Sequence, residues 1–176
     1  MVDQVPLTSL SEISSPAQIN LRGDAQDTKF SAAIKSILGF DLPEEPNTVA
    51  QGADKKALWL SPDEWLIVGG AGSQGDLIWK LEKALEGRHV AINDLSSNRT
   101  IFEISGPHVH SILMKSGEMD FHPRVFGPGN CAQTLLAKSQ AIVEQTDRST
   151  FHIYVRCSFS RYVAAWLADA AAEFDF

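Results

Sequence analysis

The chain has 176 residues, of which 44% are hydrophobic and 21% charged, the ordinary composition of one globular domain. Fifteen basic against 22 acidic residues give a net charge of −7, and because nucleic-acid and anionic-membrane binders concentrate positive charge, we expect neither partner. No apolar run of roughly 20 residues predicts a spanning helix, and residues 1–15 lack the basic start and apolar run of a secretory signal. Cys131 and Cys157, far apart in the sequence, indicate two buried thiols without a disulfide in a reducing cytoplasm.

The elements of the first half are predicted from hydrophobic spacing and turn residues. Residues 1–15 are rich in Ser, Pro and acidic side chains and are interpreted as a flexible tail before a single domain over 16–176. The predicted elements that follow are a strand over 18–22, a helix capped by Thr28 and ended by Gly39, a loop over 40–54, a hairpin of 56–60 with 64–68, a helix over 76–85 and a strand over 89–93.

The second half repeats this alternation with a different ending. The predicted elements are a strand over 100–104, a helix entered at Pro107 and closed by Gly117, a loop over 122–130, strands over 132–137, 141–145 and 151–155, and a terminal helix capped by Ser158. In the last strand His152, Tyr154 and Arg156 alternate with apolar residues, so one face is predicted to be buried and the other more polar. The order predicts an α+β fold of two ferredoxin-like split β-α-β halves with mostly antiparallel sheet.

The segment from Gly70 to Gly75 has the spacing of a dinucleotide-binding fingerprint. It follows an apolar strand and opens a helix, and Asp94 closes the next strand where a ribose-binding acid would stand. However, the strand before it is already paired in the predicted hairpin, and the chain lacks the repeated strand-helix units of a Rossmann sheet. We interpret the glycines as a flexible strand-to-helix turn.

No catalytic or metal-binding constellation is predicted. His108 and His110 lie two apart on a predicted helix and point in different directions, and no other histidine joins a cysteine or carboxylate at ligand spacing. For His122 and Arg124, in a loop stiffened by a proline, hydrogen bonds within the loop are favoured over a ligand contact. For Arg99, an internal pair with Asp94 is favoured over a carboxylate on a partner.

Trp79 lies at the edge of an apolar helical stripe that includes Leu77, Ile78 and Leu81. The stripe is typical of a core face, whereas an exposed tryptophan is typical of an interface anchor. Contact of Trp79 with a partner is therefore a hypothesis that an exposed apolar patch would support and full burial would contradict.

An ordered set of motifs along most of the chain resembles the gamma subunit of heterotetrameric sarcosine oxidase. The motifs are Trp59-Leu60-Ser61-Pro62-Asp63-Glu64-Trp65, Asp94-Leu95-Ser96, Arg99-Thr100, Ser105-Gly106-Pro107, Asp120-Phe121-His122-Pro123-Arg124-Val125-Phe126, Pro128-Gly129, Ala132-Gln133-Thr134 and Tyr154-Val155-Arg156-Cys157-Ser158-Phe159. The chain departs from the family at residues 116–119, in place of a usual Gly-Cys-Pro, and at 97–98, in place of a more basic pair.

The resemblance implies a non-catalytic accessory chain in a complex with alpha, beta and delta subunits. Such a complex demethylates sarcosine oxidatively to glycine, with hydrogen peroxide and either formaldehyde or 5,10-methylenetetrahydrofolate as products. FAD, FMN, NAD, tetrahydrofolate and zinc are implied on the other subunits and no cofactor on this chain, and the fold is expected to be similar to the folate-binding domain of aminomethyltransferases. The residues that we expect at a partner surface are Trp79, Arg99, His122, Arg124 and Arg156. The alternative is a stand-alone folate-binding, aminomethyltransferase-like protein.

Overall fold

A computed structural model of the chain describes residues 8–174. The strands in this range are β1 (Ser9–Ile13), β2 (Ala17–Arg22), β3 (Val49–Gln51), β4 (Lys56–Ser61), β5 (Glu64–Gly69), β6 (Ala91–Asp94), β7 (Arg99–Ser105), β8 (Cys131–Leu136), β9 (Ser139–Asp147) and β10 (Thr150–Arg156). The α-helices in this range are α1 (Thr28–Leu38), α2 (Gln74–Ala84), α3 (Val109–Ser116) and α4 (Ser160–Ala171). None of these helices has the length and apolar character needed to span a bilayer.

The described residues group into two compact units, each with its own sheet. The first unit comprises residues 14–98, and the second comprises residues 8–13 with 99–174. Two units form because each half supplies its own pair of helices with an apolar stripe, and each stripe buries a separate cluster of strand residues.

The first unit is built on an antiparallel sheet with strand order β3-β4-β5-β2-β6. The hairpin predicted around the Ser61-Pro62-Asp63 turn is confirmed, with Trp59 opposite Trp65 in the β4–β5 register. One sheet face and helices α1 and α2 contribute to one core, in which Trp65 is fully buried and its indole N–H donates to the Pro43 carbonyl at 2.9 Å. Because β5 is antiparallel to both β4 and β2, the glycine-rich turn after it lacks the parallel sheet of a dinucleotide-binding fold.

The second unit is built on an antiparallel sheet with strand order β1-β7-β10-β9-β8. Helices α3 and α4 pack on each other and contribute apolar residues to the core of one sheet face, which includes Phe151, Ile153 and Val155 of β10. Strand β1 lies within the segment 1–15 that composition indicates as a tail, and residues 1–7 of that segment lie outside the described range. It forms an edge strand because its backbone pairs with β7 over its whole length and Leu10 packs against the core.

The predicted fold class is confirmed, since both sheets are antiparallel and each unit has two helices, which follow β2 and β5 in the first unit and β7 and β10 in the second. Three local predictions are wrong. Asp27, not Thr28, caps α1, because its carboxylate accepts the Lys29 N–H at 2.9 Å. Ser158 lies inside a 3-10 turn at Cys157–Phe159 rather than at the cap of α4. Cys157, which was predicted to be buried, is exposed in this turn, while Cys131 is buried in β8.

Candidate functional site

The candidate site includes the side chains of β10 that point away from α3 and α4. Because side chains alternate along a strand, His152, Tyr154 and Arg156 lie on the sheet face opposite the helices, which we call the polar face. The β7–β10 register adds Glu103, Ile101 and Arg99 directly opposite them. Polar and charged groups from neighbouring strands therefore converge on one face of the second unit.

A row of four side chains, linked by two hydrogen bonds and one longer contact, crosses the middle of the polar face, and we call it the polar network. The Tyr154 hydroxyl donates to a Glu144 carboxylate oxygen at 2.5 Å. The His152 ring places Nε2 3.1 Å from a Glu103 oxygen and Nδ1 3.6 Å from the same Glu144 oxygen. The ring thus lies between two carboxylates, one on β7 and one on β9.

The side chains of the polar network differ in their exposure to solvent. The Glu144 side chain is 3% exposed and Tyr154 is 1% exposed, whereas the Glu103 side chain retains 43% exposure. Burial raises the pKa of the Tyr154 phenol well above its usual value, and the adjacent Glu144 carboxylate adds to this rise by repulsion and by accepting the phenol proton in a hydrogen bond. The network is thus suited to joining β7, β9 and β10, because a protonated Tyr154 is a permanent donor.

The sequence singled out β10 but missed Glu103 and Glu144. Period-two alternation in 141–145 places Glu144 on the same face as Ile142, so the sequence could predict which sheet face Glu144 occupies. The sequence could not predict that Glu144 pairs with His152, because the β9–β10 register shifts between Thr150 and Phe151.

Two predicted interface residues, Arg99 and Arg156, meet at one end of the polar face. They are direct partners in the β7–β10 register, with Arg156 exposed and Arg99 half-buried. Both line a cleft of about 380 Å³ together with Tyr154 and residues of β8 and β9, and we call it the arginine cleft. Arginines side by side in a cleft suit bidentate contact with carboxylates.

Asp94 has a local partner of its own. One oxygen of its carboxylate accepts the Ser96 N–H at 2.9 Å, and hydrogen bonds from the Ser96 side chain and backbone hold the pKa of Asp94 below its usual value. Ser96 also accepts the Gln18 N–H at 3.0 Å through its hydroxyl oxygen, which ties the turn after β6 to β2. The carboxylate therefore helps to close a turn of the first unit.

His122 and Arg124 lie together in the loop before β8, and the loop is pinned largely by its own groups. His122 N–H donates to Asp120 at 2.8 Å, and His122 Nδ1 accepts the Arg124 N–H at 3.2 Å. On either side, Phe121 and Phe126 pack edge to face in the core with ring centroids 5.7 Å apart. The histidine is therefore used within the loop, as favoured from the sequence, while Arg124 and its neighbour Val125 are exposed.

Trp79 lies on the solvent side of α2. Its side chain is 58% exposed, while Leu77 and Leu81 on the same helix are buried, so the stripe divides into a core part and a surface part. The Lys83 ammonium group lies 4.9 Å from the centre of the indole ring. An exposed indole of this kind is the observation that supports the interface hypothesis.

Two further histidines, His108 and His110, make structural contacts. The His108 ring stacks on Phe174 with centroids 4.6 Å apart, and His110 directs its ring nitrogens at the carbonyls of Phe121 and Arg148, 3.0 Å from each. Among residues 8–174, no group of three His, Cys, Asp or Glu side chains is arranged to hold a metal ion.

Comparison with known proteins confirms the family resemblance carried by the sequence motifs. A family model described as the sarcosine oxidase, gamma subunit family matches residues 22–173. The chain is 35% identical over 168 residues to the sarcosine oxidase subunit gamma of an Arthrobacter species, which covers 94% of this chain and 80% of that relative. The corresponding protein of Corynebacterium sp. strain P-1 is also 35% identical, over 166 residues, with the same shares covered.

Solved structures extend the likeness to three dimensions. A chain of the heterotetrameric sarcosine oxidase from Corynebacterium sp. U-96, in complex with pyrrole 2-carboxylate, matches with a TM-score of 0.89 and 31% identity over 96% of this chain and 86% of that chain. The glycine cleavage system aminomethyltransferase T from Bartonella henselae matches with a TM-score of 0.72 over 97% of this chain and 51% of that one. At 14% identity, this second match shows the fold alone.

Proposed function

The chain belongs to the sarcosine oxidase gamma subunit family, and we propose that it acts as the accessory gamma subunit of a heterotetrameric sarcosine oxidase. The complex is an oxidoreductase, and its chemistry takes place on other chains. The observation that carries this proposal is the match to a chain of a heterotetrameric sarcosine oxidase over 96% of the present chain.

The reaction and its cofactors follow from the family. We propose that the complex converts sarcosine to glycine with hydrogen peroxide and either formaldehyde or 5,10-methylenetetrahydrofolate as products. FAD, FMN, NAD, tetrahydrofolate and zinc are assigned to the alpha, beta and delta subunits, and the complex is assigned to the cytoplasm. Two cysteines that form no disulfide are compatible with that compartment.

The surfaces that meet the other subunits are proposed from exposure and chemistry. Trp79 is an exposed aromatic anchor on the first unit, and Arg99 and Arg156 line a cleft on the second. Arg124 and the His122 loop present an exposed tip that includes Val125, 64% exposed. Aromatic residues and arginine are the types enriched in protein interfaces.

The alternative of a stand-alone folate binder has less support. It requires an enclosed pocket with an acidic residue at its base, because ligand sites need several convergent walls. Carboxylates line one cleft of about 320 Å³, which holds the exposed Asp54, and a larger one of about 720 Å³, which is lined by parts of 22–26, 62–63 and 89–91. Its acids, Asp24 and Asp63, are exposed rather than buried at a base, and the chain spans about half of the aminomethyltransferase that it resembles.

Co-expression tests the proposal directly. A tagged copy of this chain, expressed with the alpha, beta and delta subunits, is expected to co-purify with all three and to be retained through size exclusion. Omission of this chain is expected to lower the yield of intact complex. Failure to associate, together with measurable tetrahydrofolate binding by the isolated chain, would reverse the choice between the two functions.

A further inference from the structure

The arginine cleft continues into a second, smaller cleft on the same unit. This neighbour measures about 270 Å³ and shares Leu135, Gln140 and Arg156 with the arginine cleft, while adding Lys138 and Phe159. The two clefts form one groove, which runs from the end of β7 and β10 to the turn before α4. We call it the basic groove.

The charge of the basic groove is opposite to that of the chain. Arg99, Lys138 and Arg156 line it, and none of its lining residues within 8–174 is acidic. In the whole sequence acidic residues outnumber basic ones, 22 to 15. A local group of cations in an acidic protein creates a potential that favours carboxylates, and the net charge of −7 disfavours an extended polyanion such as nucleic acid.

One end of the basic groove is apolar and exposed. Leu135 is 39% exposed and Phe159 is 42% exposed, although both line the groove. From Phe159 the exposed aromatic surface continues along α4 through Tyr162 and Trp166, at helical spacings of three and four residues, with exposures of 37% and 38%. A ligand that fits this surface therefore carries carboxylates next to an apolar side chain.

We propose that the basic groove binds an acidic segment of a partner subunit, with carboxylates at Arg99, Lys138 and Arg156 and an adjoining apolar side chain at Leu135 and Phe159. This inference rests on the proposed function, because it names the chemistry of one contact in the complex. A polypeptide segment suits the surface better than a small anion, since the cations and the aromatic stripe extend over two clefts and a helix face.

The test uses the full chain and the purified complex of alpha, beta and delta subunits. Arg156→Glu is expected to weaken the affinity for that complex by about 10- to 100-fold, because it places a like charge against the partner's carboxylates. Lys138→Glu, in the turn between β8 and β9, reverses a second charge outside the strands and is expected to weaken binding in the same direction. Wild-type affinity is expected to fall as salt is raised, and the variants are expected to lose part of that salt dependence.

Arg148→Glu is the matched control. Arg148 is also exposed and lies in the turn at the other end of β10, so the same charge reversal is expected to leave the affinity unchanged. A benzoylphenylalanine placed at position 159 is expected to cross-link to a segment of a partner subunit that contains Asp or Glu. A cross-linked segment without an acidic residue would overturn the proposal.

The outcomes separate this inference from the proposed function. If the wild-type chain binds the partner complex and both Arg156→Glu and Lys138→Glu bind equally well, the groove proposal fails and the gamma-subunit role stands. If the wild-type chain does not bind, the proposed function itself fails. Saturable binding of succinate to the isolated chain, abolished by Arg156→Glu while partner affinity is kept, would replace the segment with a small carboxylate ligand.

Discussion

Strand β10 supplies both faces of the second unit's sheet, and the two faces have different compositions. Toward α3 and α4 it presents Phe151, Ile153 and Val155, all fully buried in a continuous core. Toward the polar face it presents His152, Tyr154 and Arg156. The first two belong to the polar network, and Arg156 is an exposed cation. The comparison separates side chains that stabilise the fold from side chains left for contacts with other molecules.

The largest expected effect lies on the core face. Phe151→Ala is expected to lower the free energy of unfolding by about 3–5 kcal/mol, since it removes a fully buried ring and leaves a cavity. That ring stacks on Phe126 and meets Phe121 edge to face. Urea denaturation of the isolated chain measures the change, and Val125→Ala at an exposed position is the control. A loss equal to that of the control would show that this face is not the stabilising one.

A smaller loss is expected within the polar network. Tyr154→Phe removes the hydrogen bond to the buried Glu144 carboxylate and is expected to cost ~2 kcal/mol, because a charged acceptor then stays buried without that donor. Tyr162→Phe makes the same chemical change on the exposed side of α4 and serves as the control in the same denaturation experiment. Equal stability of the two variants would place Tyr154 outside the set of stabilising residues.

The same tyrosine predicts a dependence on alkaline pH. The pKa of the Tyr154 phenol is raised in the folded state. Its contribution to the free energy of unfolding is therefore fully present below the unfolded-state pKa of about 10 and is lost as pH rises through the folded-state pKa. The free energy of unfolding is expected to fall by up to ~1.4 kcal/mol per pH unit in that window from this group. Tyr154→Phe is expected to flatten the curve, and an unchanged slope in denaturation experiments across this range would contradict the assignment.

The smallest effect is expected at the exposed end of the polar face. Arg156→Glu is expected to change the free energy of unfolding of the isolated chain by less than ~0.5 kcal/mol, as is usual for exposed positions away from buried networks. Thermal unfolding of the isolated variant checks this. A loss as large as that expected for Tyr154→Phe would mean that Arg156 stabilises the fold and would weaken its assignment to a partner surface.

The sequence predicted the elements of the fold better than their partners. Hydrophobic spacing and the turn around Pro62 located the β4–β5 hairpin, and Gly39 marked the end of α1, where its backbone has a φ of 88°. Strand β1 was not predicted, because its pairing with β7 joins residues about ninety positions apart and leaves no local signal. Local patterns fix periodicity, whereas register between distant strands is set by tertiary packing.

The candidate site was predicted in part for the same reason. Arg99 and Arg156 were each selected from motifs, but only the β7–β10 register shows that they share one cleft. Glu144 was missed because the irregular register after Thr150 decides which β9 residue faces His152. Contact of Trp79 with a partner was a hypothesis from its position at the edge of a stripe, and the exposure of its side chain supports that hypothesis.

Native mass spectrometry of the complex tests the central claim most directly. When this chain is expressed with the alpha, beta and delta subunits, we predict one assembly that contains all four chains, including this 19.2 kDa one, and that oxidises sarcosine. An assembly of the other three chains with full activity, alongside this chain as a separate species, would contradict the account.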